Sequence, residues 1–141
     1  MDTSASSWNF TQAGAAYVAA LLVIGALDAL WLGWLARGFY RDAMGDMMRP
    51  DILWAPALIF YFAYPLGVLL LALMPMPPTA LHAAARGALM GLVVYGVYDM
   101  TNLATLKGWS WRLSLLDMAW GAFVTCLGAV AAWSAWTRLA R

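Results

Sequence analysis

Charge is scarce in this sequence: only 11% of its 141 residues are Asp, Glu, Lys or Arg, where a soluble domain carries about a quarter. A soluble globular enzyme and a disordered tail are excluded on that ground. The formal net charge of +1 leaves no basic stripe for a phosphate backbone, so nucleic acid is excluded as a partner. Glutamate is missing altogether, and all seven acidic residues are Asp. A single cysteine, Cys126, allows no intrachain disulfide, and within its apolar run it reads as a small packed side chain. The single histidine, His82, falls where the second connection meets the third apolar stretch and reads as an interfacial residue. No phosphate-cradling loop, metal-ligand spacing or nucleophile motif is found, so the sequence assigns no reaction and no cofactor, and an enzyme is the less favoured class.

What fills the space is apolar. Hydrophobic residues make up 65% of the chain and its mean hydropathy is +0.73, the composition of an integral membrane protein. Crossing the hydrocarbon core takes about twenty mostly apolar residues. Four stretches are long enough, at about residues 13–36, 53–74, 80–106 and 113–137. Pro50, the run Pro75, Pro77 and Pro78, and Gly108 separate them, because proline lacks an amide donor and both residue types interrupt helices. Pro65 falls deep inside the second stretch and predicts a kink there. The expected fold is an all-α, four-helix membrane bundle, a single domain over residues 1–141. Residues 1–12 are polar and lack Lys or Arg, and the apolar run after them is about twice the length of a signal-peptide core, so this start is expected to be retained.

Even span number puts both termini on one side. Arg37, Arg41, Arg49, Lys107 and Arg112 flank the first and third connections, against Arg86, Arg138 and Arg141 at the opposite ends. The excess of basic residues favours cytoplasmic first and third connections and periplasmic termini. Trp8, Phe10, Trp133 and Trp136 are then expected in one aromatic belt, and Trp34, Tyr40, Trp54, Trp109 and Trp111 in the other. Between the first two spans, Phe39, Tyr40, Ala43, Met44, Met47 and Met48 recur at helical spacing with Arg41, Asp42, Asp46 and Arg49 on the other face. That pattern predicts a short amphipathic helix lying in the membrane interface.

Three acids fall inside the spans: Asp28, Asp99 and Asp117. Counted at 1.5 Å per residue, they lie roughly 12, 10 and 6 Å below one membrane surface. Charged groups at such depth face the bundle interior and have partners. Tyr95, Tyr98 and Asn102 extend this cluster along one stripe with Asp99, while Trp31 and Trp120 lie one turn from Asp28 and Asp117. Lys107, Arg112, Arg37 or Arg41 could supply positive charge. Four uses fit these residues: a polar network fixing helix register, a pocket for an amphipathic molecule, a proton or cation site, and an active site using Asp as acid or base. The expected ligand-binding set is Asp28, Trp31, Tyr95, Tyr98, Asp99, Asn102, Lys107, Asp117 and Trp120. Separately, Ala83, Gly87 and Gly91 form a small-residue ridge suited to close helix packing.

The strings Asp28-Ala29-Leu30-Trp31-Leu32-Gly33, Phe39-Tyr40-Arg41, Met48-Arg49-Pro50, Tyr95-Gly96-Val97-Tyr98-Asp99-Met100-Thr101-Asn102 continuing through Lys107-Gly108-Trp109, and Asp117-Met118-Ala119-Trp120-Gly121 resemble a family of predicted bacterial membrane proteins known as domain of unknown function 2177. The resemblance covers essentially the whole chain. It implies a small four-span protein of the bacterial inner membrane and brings no activity with it. The expected function is an accessory one, in which the polar intramembrane pocket binds a lipid, quinone or isoprenoid. The competing expectations are a small proton- or cation-coupled transporter using the Asp cluster, and a structural subunit of a homo-oligomer or larger membrane complex.

Overall fold

The computed structural model describes residues 9–141. The place of Trp8 in an aromatic belt and most of the polar start fall on residues 1–8, outside the described residues. Among the described residues, five α-helices account for most of the length and no strand occurs. Helix α1 runs Phe10–Leu30, α2 Arg37–Met44, α3 Trp54–Gly67, α4 Ala80–Thr105 and α5 Trp111–Leu139. Three of them start on side-chain caps that satisfy otherwise orphaned amides. Asn9 accepts from Thr11 N, Thr79 from His82 N and Ser110 from Leu113 N.

Four helices are long and apolar enough to cross a membrane: Phe10–Leu35, Trp54–Ala72, Ala80–Thr105 and Trp111–Leu139. The first and second of these end in one wide π-type turn each, Trp31–Leu35 and Val68–Ala72. In the first, the amide of Ala36 reaches back five residues to the carbonyl of Trp31 at 2.7 Å. Past Trp31, Leu32 and Leu35 are exposed. At Pro65 the helix continues, and the irregularity falls in the wide turn that starts three residues later.

The core is built from small residues. Ala16, Ala20 and Ile24 of α1 meet Val124, Ala129 and Ala132 of α5, with Tyr64, Val68 and Ala72 against them. Helix α5 is central, packing along α4 and, less extensively, α1. The α4–α5 seam carries the small-residue ridge. A methyl group at Gly91 would stand 2.1 Å from the carbonyl oxygen of Gly121, and one at Gly87 2.7 Å from that of Thr125. Two backbones can approach this closely only where no Cβ intervenes, and without a hydrophobic force between helices in lipid such contact supplies the attraction. The ridge is therefore used inside the bundle.

Polar side chains staple the rest. Tyr17 donates to the carbonyl of Phe62 at 2.8 Å, tying α1 to α3, and the hydroxyls of Tyr64 and Thr125 meet at 2.7 Å. Arg86 donates to the carbonyl of Pro75 at 2.6 Å, and Trp133 to that of Pro77 at 2.8 Å, so both hold the proline-rich connection. Outside, Leu22, Ile59, Leu71, Leu89 and Val97 are exposed, the apolar surface a bilayer would cover.

Candidate functional site

The amphipathic segment between the first two spans is the lid of the site. It forms α2 over Arg37–Met44 and one further 3-10 turn, Gly45–Met47. Its regular run stops at Gly45, which adopts φ +51°. Phe39, Tyr40, Ala43 and Met44 turn inward, while Met47 and Met48 beyond the break are exposed. Tyr40 does not join an aromatic belt. It is only 7% exposed, because α2 folds back over the bundle and carries the ring inside. At the lid's outer edge, the Arg112 guanidinium lies 5.3 Å from the centre of the Phe39 ring.

A continuous polar network links α1, α2 and α5. Trp120 donates its indole N–H to Asp28 Oδ1 at 2.9 Å. The Trp120 ring stacks on Trp31, with centroids 4.4 Å apart and planes 5° from parallel. Trp31 donates to the hydroxyl oxygen of Tyr40 at 3.2 Å, and that hydroxyl in turn donates to Asp117 Oδ1. Asp28 and Asp117 are close enough to interact electrostatically, as are Asp99 and Asp117. The three intramembrane acids thus converge, each on its own helix.

Asp99 differs from the other two. It is fully buried, and its carboxylate oxygens find no donor from any other residue, only the Asp117 carboxyl beside them. Its main-chain carbonyl accepts from Ser114 Oγ at 3.4 Å, and Ser114 Oγ accepts from the indole of Trp109 at 3.0 Å. The neighbourhood holds the backbone and leaves the side chain only a second carboxyl group to meet.

In front of this network lies a cavity of about 830 Å³, within the range of about 300–1,000 Å³ typical of small-molecule sites. Its polar end carries Asp28, Asp117, Tyr40 and Trp120, with Tyr61, Tyr95 and Tyr98 beside them. Its apolar wall comes from Leu32, Met44, Met48, Pro56, Ala57, Phe60 and Val94, and Arg37 is its lining cation. The space exists because α3 packs on α1 and reaches α4 and α5 through its wide turn, while the rest of α3 meets α4 only weakly. The edge-on contact of Tyr64 and Tyr95, 6.4 Å between centroids, lies between α3 and α4. Phe60, Val94 and Tyr98 line the cavity and are exposed on the outside of the bundle, so it opens sideways between α3 and α4.

Of the residues expected at the site, Asp28, Tyr95, Tyr98, Asp117 and Trp120 line the cavity. Trp31 supports it through the stack and Tyr40, and Asp99 stands behind Asp117. Asn102 is half-buried beside Tyr98. Lys107 is exposed outside the lining, since α4 ends at Thr105 and the chain turns at Gly108 with φ +86°. Tyr40, Tyr61, Phe60 and Met44 were not in the expected set. The signal for Tyr40 was its place on the apolar face of the amphipathic segment.

Burial, and then the hydrogen bond to Asp117, push the Tyr40 hydroxyl above the ordinary tyrosine value of about 10. The folded protein therefore holds this proton at pH values where the unfolded chain has lost it, and stability from this group falls as pH rises above about 10. Tyr40→Phe should remove that part of the alkaline loss. At neutral pH it should cost about 1–3 kcal/mol, because Asp117 loses a donor and Trp31 an acceptor. Thermal unfolding of both proteins from pH 7 to 11 reads both effects; parallel curves would refute the assignment.

An all-helical bundle whose four long helices can each span a bilayer, with a polar cluster inside, defines a multi-span membrane protein. The chain belongs to the predicted membrane protein family DUF2177, whose model matches residues 13–134. No curated protein and no solved structure matches it.

Proposed function

We propose that this is an accessory protein of the bacterial inner membrane whose cavity binds a lipid-like or isoprenoid molecule, with both termini on the periplasmic side. The observation that carries the reading is the cavity itself. It joins an apolar wall to one polar end and opens on the outer surface between two membrane-length helices. A chain can lie along Phe60, Ala57 and Val94 while a head group hydrogen-bonds at Asp28, Asp117 and Tyr40, the division of labour common in small-molecule sites. The excess of Arg and Lys at the α2 end supports placing that end in the cytoplasm.

Filling the apolar wall tests this without touching the polar network. Val94→Trp and Ala57→Phe should reduce any amphiphile that co-purifies in mild detergent at least about fivefold, by mass spectrometry of the extract, while the unfolding temperature changes little. Equal amounts of the same molecule in wild type and filled variants would overturn the reading.

A further inference from the structure

The cavity is charged asymmetrically, and the asymmetry selects a head group. Asp28 and Asp117 line its polar end and Asp99 adds a third carboxylate behind them, while Arg37 is the only cationic side chain among the lining residues. Asp28 and Asp117 each accept at Oδ1, from Trp120 and Tyr40, and a carboxylate has further acceptor positions to offer a ligand. Around them stand the rings of Tyr61, Tyr95, Tyr98 and Trp120. Carboxylates set among aromatic rings are the chemistry that holds an ammonium group, by charge and by attraction to the ring faces. The same carboxylates repel an anionic head group, in a place where surrounding apolar matter screens little. Arg37, at the start of α2, offers the fork that fits a phosphate.

Resting on the pocket reading above, we infer that the occupant is a phospholipid with an ammonium head group. The ammonium sits between Asp28 and Asp117, the phosphate meets Arg37, and an acyl chain leaves past Phe60 and Val94. Both ends of a zwitterionic head group are then matched, which neither an anionic lipid nor a neutral diglyceride achieves.

Native mass spectrometry of the detergent-solubilised full chain tests this with three probes sharing the same acyl chains: dioleoylphosphatidylethanolamine, dioleoylphosphatidylglycerol and dioleoylglycerol. Phosphatidylethanolamine should be retained at least about tenfold more strongly than either of the others. Oleylamine should displace it and oleate should not, a comparison that needs no variant. Combining Asp28→Asn with Asp117→Asn should bring phosphatidylethanolamine down to the level of phosphatidylglycerol. Arg37→Gln, at an exposed position, should weaken phosphatidylethanolamine and leave dioleoylglycerol unchanged. Equal retention of all three lipids, or displacement by oleate as well as by oleylamine, would overturn the head-group assignment and leave the pocket standing. Oleylamine retained more strongly than phosphatidylethanolamine, with no effect of Arg37→Gln, would overturn the phospholipid. Retention of none would remove the pocket reading and this inference with it.

Discussion

Gly91→Val is expected to be the most damaging single substitution in the bundle, costing about 3 kcal/mol or more, above the upper end of ordinary overpacking. Its first added carbon would lie 2.1 Å from the carbonyl oxygen of Gly121, 2.7 Å from that residue's carbonyl carbon and 2.7 Å from Thr125 Oγ1. Two of these atoms are helix backbone, which cannot swing aside as a side chain can. Helices α4 and α5 would have to separate along the seam that holds the molecule together most extensively. Gly121 is also constrained by Tyr95, one turn further along α4, whose ring a methyl group would meet at 2.1 Å, so a shift of α5 would also disturb the cavity wall. Gly25→Ala is the control. Nothing lies within 4 Å of its added carbon, and alanine favours a helix by up to about 1 kcal/mol over glycine. Unfolding of the two variants in mixed micelles, followed by tryptophan fluorescence, should separate them widely. A Gly91→Val protein as stable as wild type would refute the packing described for this seam.

Asp99→Asn should act in the opposite direction and stabilise the protein by about 1–3 kcal/mol, because it removes a buried carboxyl group set against a second one. The carboxylate is fully buried, receives no donor from any other residue and stands against the carboxyl of Asp117. Asparagine has nearly the same shape, carries no charge, and brings an N–H that Asp117 can accept. A gain at pH 8 in the same unfolding assay would mark Asp99 as a group that does not serve to hold the helices together, the pattern of residues whose function costs stability. A loss of stability instead would show that this acid fixes helix register.

These two positions also show how far sequence reasoning reaches. The small residues at 83, 87 and 91 recur every four positions, so a close-packed ridge was legible, and so was its placement inside the bundle. The partner atoms on α5 were not, because facing residues from another helix leave no periodic trace. Likewise, depth along each span brought Asp28, Asp99 and Asp117 to one level. Only the packing reveals that Asp28 and Asp117 accept from Trp120 and Tyr40, while Asp99 has only the Asp117 carboxyl beside it.

Tyr40 marks the boundary most clearly. Its helical register was readable, and its aromatic ring at a membrane interface suggested a belt. Its burial follows from how α2 docks, which depends on Trp31 and Asp117, residues 9 and 77 positions away in the chain. The wide turn at Trp31–Leu35 was equally hidden, since its apolar run carries no signal that distinguishes five-residue from four-residue hydrogen bonding. Lys107 was expected to bring positive charge to the acids, but α4 ends at Thr105 and leaves it exposed.

Scarcity of charge, long apolar runs and proline breaks determined by themselves that this chain makes four membrane-length helices, because the bilayer imposes length and internal hydrogen bonding on any segment that crosses it. They also determined that its few buried acids share one half of the bundle. Tertiary structure alone decided that a cavity lies before those acids. A cavity is the space helices fail to fill, and that depends on how α3 leans on α1 and away from α4, a relation between surfaces distant in the chain.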